Sequence, residues 1–440
     1  MSDSLQDRSI APLRGVQAEG AGLDSPELAW IAEGGVTSAR GFAAAGVHAG
    51  FRANPERLDM ALVLADEPCA AAGVFTQNVF CAAPVIVSRE HLDNVGYGTA
   101  RAVVVNSGVA NAATGERGIE AARDTAQLVA DVVGCPAEEV LVASTGVIGV
   151  HLSLDPFREW LAATVAACSP EGGADAARAI MTTDTHPKQA AVSFSGDGVG
   201  YEGCAFTVGG MSKGSGMIMP NMATMICVVT TDAPIENDAL HEALVRAVGR
   251  SFNKVTVDSD TSTNDTCVVL ASGDAAPAGA QPFAPGSDAY ARFERALSAV
   301  CENLARQMAA DGEGATRLVT VRLTGAADDA DADLAARSVA NSPLVKTAIA
   351  GHDANWGRVA AALGKSGARF CQEDVAIDIM GLPVCRGGLT VPFDEEEALR
   401  RFERPEIPID VDLGAGSAET TIWTCDFTHD YISINGDYRS

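Results

Sequence analysis

"KGSGMIMPNMATMICVVTTDA", from Lys213 to Ala233, joins a glycine-rich, proline-broken approach to an apolar run. Met225, Ile226, Cys227, Val228 and Val229 read as a buried strand, because such side chains suit a covered pleated surface. Asn221, Met222, Ala223 and Thr224 stand directly before it. Thr224 alone is an ordinary strand residue, since threonine favours strands and one hydroxyl is easily satisfied there. The surroundings allow a second reading. A hydroxyl is a weak nucleophile without an adjacent base, and a chain-terminal threonine carries that base as its own α-amine. An α-amine titrates near ~7.7–8.0, so a fraction is neutral at cell pH and takes the hydroxyl proton. The flexible Gly214–Ser215–Gly216 segment and small Ala223 would let the Ala223–Thr224 bond distort for attack. On this reading the chain cuts itself after Ala223, and Thr224 becomes the nucleophile. It requires partners elsewhere.

Composition narrows the chemistry. The chain has 440 residues, 47% hydrophobic, with 58 acidic and 31 basic residues and a formal net charge of −27. That length suggests two or three globular units. An acidic surface lacks the basic footprint that nucleic acids and anionic membranes require, which directs attention to small molecules. No run of 18 or more uncharged apolar residues suggests a membrane helix. The N-terminus lacks the basic start and apolar centre of a secretory signal. The eleven cysteines form no CxxC pair, which suits buried thiols in a reducing cytoplasm.

Residues 1–30 are acidic and aperiodic and read as a mobile extension. Beyond them, 101–108 and 139–146 read as strands ending in small polar residues. Residues 116–134 carry apolar positions at helical spacing and stop at Gly134, with Pro136 just beyond. Helices are expected over 238–252, 288–312 and 355–367. Strands are expected in "TRLVTVRLTG", "DVAIDIMG", "EIPIDVDLG" and "ETTIWTCDFT". Strands clustered near the C-terminus argue for antiparallel pairing and an α+β architecture. Residues 271–288 read as a surface insertion rich in Pro, Gly and Ala.

Three motifs fail on inspection. "GKS" at Gly364–Ser366 lacks the earlier glycine of a phosphate loop, since position 359 is Val. "DSDTSTND" (258–265) resembles a calcium loop but has Thr263 at the sixth position and Val269 at the twelfth. The same stretch resembles the aspartate start of a haloacid-dehalogenase-type phosphatase without the rest of that pattern. The seven histidines show no metal-ligand spacing, and no metal is expected.

From about residue 34 to Ser440 the chain resembles the ornithine acetyltransferase family, the glutamate N-acetyltransferases of arginine biosynthesis. The blocks that carry this include "GGVTSARGFAAAGVHAGFR" (34–52), "VVVNSGVANAATG" (103–115), "ASTGVIG" (143–149) and "AIMTTDTHPK" (179–188). They continue with "KGSGMIMPNMATM" (213–225), "DSDTSTNDT" (258–266), "DGEGATRLVTV" (311–321), "HDANWGR" (352–358) and the terminal "YISINGDYRS". The blocks stand in family order, which makes the resemblance specific. The chain departs from the family pattern at Arg40, Ala113, His352 and Ala354, none a catalytic position.

The resemblance implies a role for each matching residue. Thr224 is the nucleophile, with cleavage after Ala223, giving an α chain (31–223 after the extension) and a β chain, 224–440. Thr145 and Gly146 form the oxyanion hole; the bland reading of "STG" is a turn. Lys213 binds substrate, and a point cation suits an α-carboxylate; otherwise it is a loop lysine. Glu313 binds substrate and pairs with the ornithine ammonium, or else marks a plain turn. Thr182 and Thr183 both match the family's substrate threonine. Asn435 and Ser440 form a C-terminal binding pair, or else belong to a frayed tail. The implied fold is a layered α/β sandwich distinct from ordinary N-terminal-nucleophile hydrolases, assembled as an α2β2 tetramer. The implied reaction moves acetyl from N-acetylornithine to glutamate through an acetyl-threonine. No cofactor is implied, although acetyl-CoA serves some members as donor. The alternatives are a self-processing aminopeptidase or amidase of related fold, and a binding protein that has kept the fold.

Overall fold

The computed structural model describes residues 28–219 and 225–437. Ala223, Thr224, Ser440 and all but the last residues of the predicted extension lie outside them. Two compact units divide the chain. One holds Lys254–Asp260 and the chain from Arg306; the other holds the chain up to Asn253 together with Thr261–Ala305.

The larger unit is built on a nine-stranded sheet. Its strands are β1 (Leu28–Trp30), β2 (Phe42–Val47), β3 (Met60–Phe75), β4 (Tyr97–Val109), β5 (Val140–Val147), β6 (Lys188–Ser195), β7 (Ala205–Lys213), β8 (Ile226–Thr231) and β9 (Thr266–Ala271). They run in the order β1-β6-β7-β8-β9-β3-β4-β5, with β2 on β3. β1 pairs with β6, so the sheet begins inside the stretch read as an extension. β4–β5 and β8–β9 are parallel, and the other pairs are antiparallel.

Both faces of the sheet are covered, and the strands record it. Ala61 and Val63 of β3 join Val103 and Val105 of β4 in one buried cluster. Met60, Leu62, Ala102 and Val104 join a second, with Ala122, Ala126, Val129 and Phe157 from helices. Successive side chains point to opposite faces, so a strand covered on both sides reads as continuously apolar. The helix Gly115–Val133 supplies part of that second layer and stops at Gly134 in the left-handed region (φ 79°), the usual C-terminal glycine. The 271–288 segment is less superficial than its composition suggests. Phe283 is buried, with its ring 4.7 Å from Tyr201 and 5.0 Å from Phe206.

The smaller unit carries a six-stranded sheet of β10 (Leu318–Ala326), β11 (Ala376–Ile379), β12 (Leu382–Arg386), β13 (Leu389–Thr390), β14 (Glu406–Asp412) and β15 (Ala418–Cys425). Its order is β13-β12-β11-β14-β10-β15. Pairing is antiparallel as expected, except that β10 and β14 are parallel. Its core gathers Val319, Val321, Ile377, Ile409 and Ile422 against Ala332, Ala336 and Val339 of helix Asp329–Ala340. Each unit thus layers helices on a mixed sheet, which accords with the expected α/β sandwich.

Candidate active site

The opening stretch falls where three strand ends meet. Lys213 closes β7 and lies in register with Ile226, the first residue of β8. Met225 precedes Ile226, and Thr224, outside the described residues, precedes Met225 in sequence. The Gly214–Gly216 segment, read as flexible, is anchored. Gly214 donates its amide to Asp184 Oδ1 at 2.7 Å, and Ser215 is fully buried.

Asp184 organises this cluster. Its Oδ1 lies 2.7 Å from Lys188 Nζ and its Oδ2 3.8 Å from Lys213 Nζ, with all three side chains buried. Oδ2 also accepts the Thr182 amide at 2.9 Å, and the Thr182 hydroxyl is 3.5 Å away. Burial would raise the Asp184 carboxyl. The Lys188 and Lys213 charges, with the bonds from Lys188 and Thr182, outweigh it and hold the group well below the usual carboxylate range. The two ammonium groups bring buried positive charge to this cluster. Arg52 and Arg57 fix the adjoining loop by donating to the carbonyls of Met181 (2.7 Å) and Thr182 (2.8 Å). Thr182 therefore sits in the Lys213 cluster, and its neighbour Thr183 is half-buried.

Thr145 and Gly146 end β5 in register with Ser107 and Gly108 of β4. Gly146 has φ +131°, and a Cβ there would meet the Gly108 carbonyl carbon at 2.3 Å. Only glycine lets the two backbones approach so closely. Thr145 is buried to 8% exposure. Beside it, the Ser144 hydroxyl donates to Asn106 Oδ1 at 2.6 Å, and Asn106 Nδ2 donates to the Val109 carbonyl at 2.9 Å.

The rejected calcium-like stretch supplies the connection. Asn264 Nδ2 donates to the carbonyls of Ser144 (2.8 Å) and Ala110 (2.6 Å). Asp265 Oδ1 accepts the Met225 amide at 2.9 Å. Burial, the dominant influence, pushes the Asp265 carboxyl well above its ordinary value. The Met225 amide and the Lys213 charge offset this only in part.

Glu313 and Asn435 belong to the smaller unit, where they touch. Asn435 Nδ2, on helix His429–Asp437, donates to Glu313 Oε2 at 2.6 Å. The "DGEG" loop is held by this contact and others. Asp426 accepts the amides of Thr316 (2.7 Å) and Arg317 (3.0 Å), and Thr428 donates to the Gly314 carbonyl at 2.7 Å. A Cβ on Gly312 would meet Cys425 Sγ at 2.5 Å, and one on Gly314 the Tyr431 amide nitrogen at 2.5 Å. The two glycines admit the strand end and the helix on either side of Glu313.

The four departures have local roles. Arg40 donates its amide to Asp232 Oδ2 at 3.1 Å. Ala113 and His352 take left-handed backbone (φ 56° and 55°), His352 stacks on Phe402 at 5.4 Å, and Ala354 is buried. All eleven cysteines are free thiols. Among the described residues no group of three or more His, Cys, Asp and Glu could hold a metal ion. No described helix is long and apolar enough to cross a membrane.

Sequence reasoning missed Asp184, Lys188, Asn264, Asp265 and the two arginines. Asp184 and Lys188 lie inside a block already singled out, and Asn264 and Asp265 inside another. A carboxylate in a Thr/Asp/Ser-rich stretch reads as a solvated turn, and nothing local announces that it will be buried.

Comparison with known proteins places the chain in a family. The ArgJ family model matches residues 43–440. The arginine biosynthesis bifunctional protein ArgJ of Symbiobacterium thermophilum is 51% identical over 414 residues, 94% of this chain and 100% of that protein. The solved arginine biosynthesis bifunctional protein ArgJ of Bacillus halodurans is 43% identical, covering 48% of this chain and 98% of its own, with a TM-score of 0.46. The solved ornithine acetyltransferase of Mycobacterium tuberculosis, complexed with ornithine, is 42% identical, covering 44% of this chain and 98% of its own, with a TM-score of 0.40. With a family match over nine-tenths of its length and a relative of this identity end to end, the chain belongs to the ArgJ family.

Proposed function

We propose that this chain is a self-processing acetyltransferase of arginine biosynthesis that moves the acetyl group from N-acetylornithine to glutamate. The family membership sets the reaction. The observation that carries the site is the Lys188–Asp184–Lys213 cluster gathered at the start of β8, one strand position from the residue after Thr224. Lys213 within it is the cation that the resemblance assigns to the α-carboxylate shared by both substrates. Thr224 Oγ attacks the acetyl carbonyl while the α-amine takes the hydroxyl proton. The tetrahedral oxyanion is met by donors at Thr145 and Gly146, and collapse breaks the C–N bond and returns the proton to the departing ornithine amine. The glutamate amine then attacks the acetyl-threonine ester in the same way. The resemblance assigns substrate binding to Glu313, Asn435 and Ser440 as well.

The bifunctional character that the relatives' name gives them supports acetyl-CoA as a second acetyl donor, with no metal or organic cofactor. The α and β fragments assemble as α2β2 in the cytoplasm. The test is a mass spectrum of the purified protein together with transfer assays. Two fragments are expected, the second beginning Thr-Met-Ile-Cys, with acetylornithine consumed only when glutamate is supplied. Thr224→Ala should remain one inactive chain. Consumption of acetylornithine by water alone would favour the amidase alternative.

A further inference from the structure

The stretch 258–265 helps to carry the family resemblance, but no residue in it was given a chemical role, and the reaction assigned above uses none of them. Two of its members nevertheless hold both halves of the chemistry. Asn264 Nδ2 donates to the Ser144 carbonyl at 2.8 Å and to the Ala110 carbonyl at 2.6 Å, so one side-chain amide clamps the ends of β4 and β5. The next residue, Asp265, faces the other way along the sheet. Its Oδ1 accepts the Met225 amide at 2.9 Å, while the Met225 carbonyl accepts the Thr266 amide at 3.0 Å. The regular β8–β9 ladder begins at Ile226 and Thr266, so the Asp265 carboxyl extends it by one residue. That residue is the one that follows Thr224.

Asp265 is itself held fast. It is fully buried, and its carbonyl accepts the Thr76 amide at 3.1 Å. The Thr76 hydroxyl is committed to the Ser262 carbonyl at 2.7 Å, and Asp265 Oδ2 has no hydrogen-bond partner among the described residues. A buried carboxyl with a single bonded oxygen is expensive to keep unless its place is needed. Asn264 is also buried, and its remaining amide oxygen accepts the Thr263 hydroxyl at 2.6 Å.

We propose that Asn264 and Asp265 are a positioning pair: bonded to the ends of two different strands, they set the distance between the Thr145–Gly146 donors and the backbone that starts at Met225. This rests on the function proposed above, which makes those two points the oxyanion hole and the attachment of the nucleophile. Acyl transfer is steep in that distance, since a displacement of about 1 Å costs about 10²-fold in rate. Two adjacent residues on one backbone form a short, stiff link, which is how a reactive arrangement is held within a fraction of an ångström. Asp265 Oδ1 accepts the Met225 amide, a role that an asparagine oxygen can fill.

The experiment compares Asp265→Ala, Asp265→Asn and Asn264→Ala with wild type, on full-length protein. Rates of self-cleavage, kcat and KM are normalised to folded, cut enzyme, and hydrogen exchange is followed at the Met225 amide. Both alanine variants are expected to lose about 10²-fold in kcat with KM within about threefold of wild type, and to cut slowly. Asp265→Asn should stay within about threefold of wild type in kcat and keep the Met225 amide protected, whereas Asp265→Ala should expose it. A purely structural role would lower the melting temperature and leave normalised kcat unchanged, and that result overturns the proposal. So does an Asp265→Asn enzyme as slow as Asp265→Ala. If Asp265→Ala does not fold, Asn264→Ala and Asp265→Asn decide by the same criteria. A wild-type chain that neither cuts nor transfers acetyl would remove the functional reading instead, and the exchange experiment still decides whether Asp265 holds Met225.

Discussion

At the scale of single residues, Asp184 is the most exacting member of the site. Breaking a buried ion pair by removing one partner leaves an uncompensated charge in low dielectric, at about 3–5 kcal/mol. Asp184→Asn would leave the Lys188 and Lys213 ammonium groups buried together. A loss of stability of that size is expected in urea unfolding at neutral pH. The sign with pH follows from its lowered value. The stabilisation is fully present above the ordinary carboxylate value of 3.8 and is lost as pH falls through the lower folded value. Wild type should therefore lose its advantage over Asp184→Asn on strong acidification, and equal stability of the two at pH 7 would contradict the ion-pair account. Thr145→Ala makes a separate test. Cutting and transfer both pass through an oxyanion, so both should slow by about 10²–10³-fold, as measured by the rate of fragment appearance and by kcat. Unchanged rates would reduce "STG" to a turn.

Among the elements, the helix His429–Asp437 and the "DGEG" loop behave as one piece. Gly314 sits at φ +72° with the start of that helix against it, 2.5 Å from a Cβ position to the Tyr431 nitrogen. Gly314→Ala adds left-handed strain of about 1–2 kcal/mol to that contact and must push the helix away from Glu313. The Asn435–Glu313 bond should then weaken. The expected result is a higher KM for acetylornithine and glutamate, with self-cleavage proceeding as in wild type because it needs no bound substrate. Steady-state kinetics on fully cut protein provides the check. An unchanged KM would detach Glu313 and Asn435 from substrate binding.

For the whole molecule, the consequence of a cut after Ala223 is set by sheet order. β8 and β9 lie between β7 and β3, so the two strands from the second fragment are flanked on both sides by strands of the first. β8 pairs with β7 from Val208↔Thr231 to Lys213↔Ile226, and β9 pairs with β3 from Ala70↔Ala271 to Phe75↔Thr266. Neither fragment owns the complete nine-stranded sheet. Separated, each would expose unpaired strand edges and apolar faces. The cut protein is expected to run as two bands under denaturing conditions and as one species natively, with the fragments parting only at the cooperative unfolding transition. Separation by size exclusion without denaturant would contradict this arrangement.

What the sequence determined by itself was local or strictly spaced. The helix stopping at Gly134, the strand read over 139–146 and the apolar strand read from Met225 followed from periodicity, propensity and glycine chemistry, which act within a few residues. The "DGEG" loop and the family blocks were equally legible, and they named Lys213, Thr182, Glu313 and Asn435 as candidates. Which side chains surround those residues was decided only by tertiary structure. Asp184 is ionised because two lysines from different strands reach it, one four residues away and one across the sheet. Asp265, five residues from the exposed loop position Asp260 and equally acidic in sequence, is driven toward its neutral form because β9 is buried in the middle of the same sheet. A carboxyl's charge is set by the dielectric and the charges around it, and those arrive with long-range strand order, which no short stretch of sequence encodes.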